Sequence, residues 1–138
     1  MKWQSVILPA GLLVMAVLSF SCGSDSNGTS SDGGTIEPTF TNVNQRILQP
    51  SCGTGLSSCH GGSSPTSGLS LTSYTSIMNH VTSQGKTVDP GSASTSNLYL
   101  KTTATPPFGE RMPKGGAPLS LSMQQLIRDW INAGALNN

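Results

Sequence analysis

Charge is the first thing this sequence is short of. Only 9% of its residues are Asp, Glu, Lys or Arg, and the formal net charge at neutral pH is +1. So sparse and balanced a set excludes the basic stripe that a nucleic-acid partner requires. Aromatic residues are scarcer still at 5%, and beyond residue 39 they are Phe40, Tyr74, Tyr99, Phe108 and Trp130 alone. Long apolar runs are missing too. The longest, VILPAGLLVMAVLSF, covers fifteen residues and contains Pro9, which is too short and too interrupted for a stable membrane span. We find no nucleophile–base set, no phosphate loop and no paired acids in a cleft-like context, so the chain does not read as an enzyme. Internal repeats are absent.

What is present begins with an export signal. Lys2 precedes the apolar run, and Ser21 and Cys22 follow it, the order of a signal peptide. A cysteine directly after such a run resembles the bacterial lipoprotein signal, in which that cysteine becomes the lipidated first residue. The expectation is a lipoprotein-type signal peptide over residues 1–21 with Cys22 as the lipid attachment. A diacylated cysteine anchors stably, since two or more acyl chains are what firm anchoring takes. Gly23, and not aspartate, follows it, which favours the outer over the inner membrane as the periplasmic anchoring site. Residues 22–39 are nearly all Gly, Ser, Asp, Thr and Asn in their greater part and read as a flexible tether.

The domain expected over residues 40–138 carries six cations against three acids, a mild balance of plus three. Four helical stretches are predicted in it. Thr41 to Pro50 sets Val43, Ile47 and Leu48 on one face and stops at the proline. A short helix follows Ser73 as its cap, with Tyr74, Ile77, Met78 and Val81 apolar. Another starts near Ser94. The strongest is SMQQLIRDWINAGA, with Ser122 as N-cap, Met123, Leu126, Ile127, Trp130 and Ile131 at helical spacing, and Gly134 at the left-handed C-terminal position. LSL at 69–71 is the single strand hint. The fold class is all-α with long loops. Side chains alone leave such a domain marginal, so a large apolar cofactor or a crosslink is expected to complete it.

Export changes how the remaining cysteines read, because exported thiols rarely stay free. Cys52 and Cys59 lie in CGTGLSSCHGG, seven positions apart and directly before His60. They are bridged to each other, bound to a metal, or bonded to a cofactor. Covalent haem needs two thiols for the two porphyrin vinyl groups and an imidazole close by in sequence. Cys59-His60 supplies the last demand, and the six-residue insert can bulge outward at small entropic cost. Met112, in PPFGERMPKGG, lies in a Pro/Gly-rich loop without helical periodicity, so it is a candidate thioether ligand to iron. Met78 and Met123 lie on helical apolar faces and read as packing residues. Zinc held by Cys52, Cys59, His60 and His80 strains tetrahedral spacing. A Cys52–Cys59 disulfide on a haem-free, lipid-anchored interaction module is the alternative. His80 competes with Met112 as a distal ligand, Arg111 is a candidate partner for a haem propionate, and Trp130 reads as a core residue or a haem-edge contact.

The segments ILQPSC, CHGG, SGLSLTSYTSIM, DPGSASTSNLYLKTT, PPFGERMPKGG and LIRDWINAGA occur in that order. Together they resemble the small cytochrome c domains of exported proteins from planctomycetes and related bacteria. That resemblance implies one haem c attached through Cys52 and Cys59, with His60 as proximal and Met112 as distal ligand. It implies a c-type cytochrome fold whose first and last helices cross around the haem. It also implies a monomeric electron carrier between exported or membrane-bound redox proteins. The departure is the longer cysteine spacing, which leaves one or two thioether bonds open.

Overall fold

The computed structural model describes residues 35–53 and 59–138. The expected signal segment, Cys22, most of the expected tether and the Thr54–Ser58 part of the cysteine loop lie outside them. No described helix is long and apolar enough to cross a membrane.

The first helix, α1, covers Phe40–Val43 and is capped by Thr39, whose Oγ1 accepts from Asn42 N at 3.2 Å. Glu37 and Thr39, read as tether, therefore contribute to the helix start: the Glu37 carbonyl also accepts from Asn42 Nδ2 at 3.0 Å. Beyond Val43 the chain does not stop at Pro50. It runs on in wider π-type turns over Asn44–Gly53 with Pro50 inside them. In an α-helix the proline ring collides with the carbonyl four residues back, and a wider turn moves that carbonyl away. Such turns are uncommon and concentrate at functional sites. Here the extension carries Cys52 and Gly53.

The remaining elements are short. A 3₁₀ turn at Thr66–Gly68 leads to α2, Tyr74–Asn79, which Ser73 caps through Ser76 N as expected. The two-residue strands β1 (Val81–Thr82) and β2 (Gly85–Lys86) pair antiparallel. The helix expected from Ser94 is split into a 3₁₀ turn, Ala93–Thr95, and α3, Asn97–Leu100. Ser96 breaks it. Fully buried, it turns its hydroxyl to Ser92 O at 2.8 Å and accepts from Asp89 N at 2.8 Å, an alternative that serine offers the backbone in competition with helix. No strand forms at residues 69–71. The Leu69 carbonyl and the Leu71 amide bond His60 and not a neighbouring strand.

The last helix, α4, spans Leu121–Asn132 and is capped by Ser120, not Ser122: Ser120 Oγ accepts from Met123 N at 3.3 Å. That register places Met123 in the first turn, 37% exposed, so it is not a core methionine. The far end closes as a Schellman motif. Gly134 (φ +100°) donates to Ile131 O at 3.0 Å, and Ala135 N to Trp130 O at 2.9 Å.

The core lies where α4 meets α1 and its extension. Val43, Ile47, Leu48, Ile127, Trp130 and Ile131 are all essentially inaccessible. Phe40 packs 5.7 Å from the Trp130 ring and edge-on to Tyr74 at 5.2 Å, within the range of favourable aromatic pairs. Trp130 gives its indole N–H to Leu136 O at 2.9 Å, so it is a core residue. Tyr74 Oη donates to Ala135 O at 2.8 Å. Asn138 accepts from the free amides of α1, at 3.0 Å from Phe40 N and 2.9 Å from Thr41 N. Two substitutions measure this core by denaturant unfolding. Trp130→Ala is expected to cost about 3–5 kcal/mol, and Gly134→Ala, which forces a Cβ into the left-handed region, about 1–2 kcal/mol.

Candidate functional site

The site is built on a backbone crossing. Cys52 is the next-to-last residue of the π-type extension of α1, and its carbonyl accepts from His60 N at 3.2 Å. The two arms are so close that a Cβ on buried Gly61 would run into the Gly53 carbonyl oxygen. Backbone faces backbone there, so no side chain can move to make room, and Gly61 is required by the approach itself. Both cysteines are free thiols, Cys52 half-buried and Cys59 exposed. Burial, with the neighbouring Cys59 second, pushes the Cys52 thiol up to about 11. It is therefore protonated at neutral pH, whereas thiol–disulfide chemistry needs the thiolate.

His60 is held on three sides. Its amide bonds Cys52, its carbonyl accepts from Leu71 N at 2.8 Å, and its ring Nδ1 lies 3.2 Å from Leu69 O. A carbonyl only accepts, so Nδ1 carries the proton and Nε2 keeps its lone pair. This is the arrangement by which a ligating histidine has its tautomer and ring plane fixed by a second hydrogen bond. Cys59 is tied in the same way, its carbonyl accepting from Thr66 N at 2.7 Å.

Met112 lies in a loop of turns between Thr103 and Leu119 and is partly buried. Its amide donates to Lys101 O at 2.7 Å, so the end of α3 sets where the loop passes. Lys114, two residues on, is near enough for the Cys59 sulfur to raise its pKa, after the larger effect of its ion pair with Glu110.

Residues 57–116 match the family model of the planctomycete cytochrome C domain. That stretch is a planctomycete-type cytochrome c domain. The matched stretch includes Cys59, His60, His80 and Met112, and Cys52 precedes it. No curated protein and no solved structure gives a match.

A cytochrome c domain is a haem-binding electron-transfer unit, and the side chains here suit such a group. His60 Nε2 has no hydrogen-bond partner among the described residues. Arg111 Nε, beside Met112, is buried without a hydrogen-bond partner among the described residues, a donor suited to a carboxylate such as a haem propionate. His80 is differently placed: Nε2 lies 3.1 Å from Ser67 O and Nδ1 2.7 Å from Thr87 Oγ1. Its ring nitrogens are both engaged in this geometry. Among the described residues no group of three or more His, Cys, Asp or Glu is arranged to hold a metal ion, so the zinc reading finds no site there.

Sequence reasoning missed three contributors to this domain. Gly61 had a signal in the doubled glycine after His60. Leu69, which acts through its carbonyl, left none. Lys101 had its position in LYLKTT but no pattern that tied it to the methionine loop. Gly61→Ala is expected to reduce the yield of haem-loaded protein at least about tenfold, because the crossing cannot form around an added methyl. Gly62→Ala meets open space at φ +73° and is expected to cost only about 1–2 kcal/mol of backbone strain. Comparing haem absorbance per polypeptide in the two variants checks the pair.

Proposed function

We propose that this chain is an electron-transfer protein carrying one covalent haem c with His60 and Met112 as axial ligands, tethered through a lipid on Cys22 at the periplasmic face of a membrane, the outer one favoured. The observation that carries the reading is the His60 ring: Nδ1 bound to Leu69 O at 3.2 Å, Nε2 left free, and Cys52 and Cys59 alongside. Thioether bonds at Cys59 and Cys52 hold the group. One-electron redox chemistry is what haem supplies when bound.

The chain's own residues do the rest. His60 presents a nitrogen whose ring is oriented by the Leu69 carbonyl, and Met112 offers a thioether that favours the reduced iron. With His60 and Met112 both holding the iron, the site would be closed to substrates, which suits a carrier and not an enzyme. Arg111 offsets carboxylate charge at the edge of the site. Partners are exported or membrane-bound redox proteins, met by a monomer on its tether; the mild positive balance of the domain steers them weakly.

The test is co-expression with a c-type maturation system, followed by a denaturing gel stained for haem. Stain that survives denaturation is the expected result. Cys59→Ala combined with Cys52→Ala is expected to abolish it. Cys52→Ala is expected to retain it while shifting the reduced absorption bands to the red, because one vinyl group stays conjugated. Matured protein that is colourless, with Cys52 and Cys59 joined in a disulfide, overturns the reading in favour of a haem-free interaction module.

A further inference from the structure

We infer that Lys101 is a positioning residue that holds Met112 in place by clamping the loop 108–112 at both ends. This rests on Met112 as an axial ligand. The clamp is formed by one residue using its two halves. The Lys101 carbonyl accepts from Met112 N at 2.7 Å, and its ammonium donates to Phe108 O at 2.7 Å. The ammonium also lies 5.0 Å above the centre of the Phe108 ring, a cation–π distance. Gly109, between these contacts, passes so close at φ +55° that a Cβ there would meet Lys101 Nζ at 3.1 Å.

Several features make the contact more than incidental. An exposed ammonium is strongly hydrated and gains little from one carbonyl, but Lys101 is half-buried. The nearest acid, Glu110, is engaged by Lys114 at 2.6 Å, and Lys101 forms no salt bridge among the described residues. Its backbone is fixed in turn, since Lys101 N donates to Asn97 O at 3.0 Å at the end of α3, and α3 packs on α4. A thioether is a weak, neutral ligand. Holding its loop in advance removes the ordering cost that would otherwise favour a competing ligand.

The experiment uses the full-length, haem-loaded ferric protein and titrates imidazole, following loss of the thioether–iron charge-transfer band. Lys101→Met keeps the length of the stem and removes the charged donor. It is expected to lower the imidazole concentration for half-displacement about tenfold, as loss of a charge-assisted hydrogen bond would. Lys101→Arg is expected to stay within about threefold of the wild type, because it restores a cationic donor. Phe108→Leu, which leaves the carbonyl and removes the ring face, is expected to shift the midpoint about threefold, and keeps the test available should Lys101→Met fail to fold. Thermal unfolding of each variant is read in parallel. A lowered unfolding midpoint with an unchanged imidazole midpoint overturns the inference, since that is what a purely structural lysine gives. Met112→Ala separates the two levels. If it abolishes the band while Lys101→Met and Phe108→Leu titrate like wild type, the clamp alone is wrong. If it leaves the wild-type spectrum unchanged, the ligation reading and the clamp fall together.

Discussion

The hydrogen bond from His60 Nδ1 to Leu69 O is the constraint on which the rest of the site turns. It selects one of two tautomers, and the tautomer decides which nitrogen faces outward with a lone pair. It also explains why the Leu69–Leu71 segment is not a strand. A strand would need those backbone groups for a neighbour, whereas here the Leu69 carbonyl and the Leu71 amide are both directed to His60. Sparing the segment from a sheet makes it the rigid back wall of the histidine. The price is local irregularity, because the chain must turn sharply before it, through Gly62 and Gly68 at positive φ.

A second set of backbone hydrogen bonds leads from His80 to Met112. Thr87 N bonds His80 O, Leu98 N bonds Thr87 O, Lys101 N bonds Asn97 O, and Met112 N bonds Lys101 O. Each step is short and each joins a loop to a loop or to a short helix. Such a series transmits position without needing long secondary structure. It accounts for how a domain with helices as brief as α2 and α3 can still fix two residues far apart in sequence.

The two parts of the fold differed in how legible they were in the sequence. The α4 face was readable because Leu126, Ile127, Trp130 and Ile131 recur at helical spacing and Gly134 marks the end; only the cap was displaced, from Ser122 to Ser120, as neighbouring serines are chemically equivalent. Helix α1 was readable in its face and misjudged in its end. A proline normally stops an α-helix, and nothing in ILQPSC announces the wider turns that let the chain pass it. The loop half was hardest. Ser96 carries a helix-breaking role through two tertiary hydrogen bonds, and one-dimensional periodicity holds no record of those. Cys59, His60 and Met112 were legible as chemistry because their residue types are unusual for where they stand. The groups that place them were not, since Leu69 and Lys101 act largely through carbonyls that every residue possesses.

This division has an energetic counterpart. Almost all the large buried side chains belong to α1 with its extension, to α2 and to α4, whereas between Val81 and Ser120 the buried apolar residues are Val88, Ala93, Leu98 and Leu119. The loop half relies instead on buried polar groups such as Thr87, Ser96, Asn97 and Thr102, whose hydrogen bonds each contribute about 1 kcal/mol net. Such a half resists water poorly on its own, because an opened loop recovers most of that energy by bonding to solvent. A large apolar group held by the domain would supply apolar contact where buried side chains of that kind are fewest. Arg111 would gain the acceptor it lacks. On this argument a covalently held group would serve stability as well as redox chemistry, because it would stay in place through every opening of the loops.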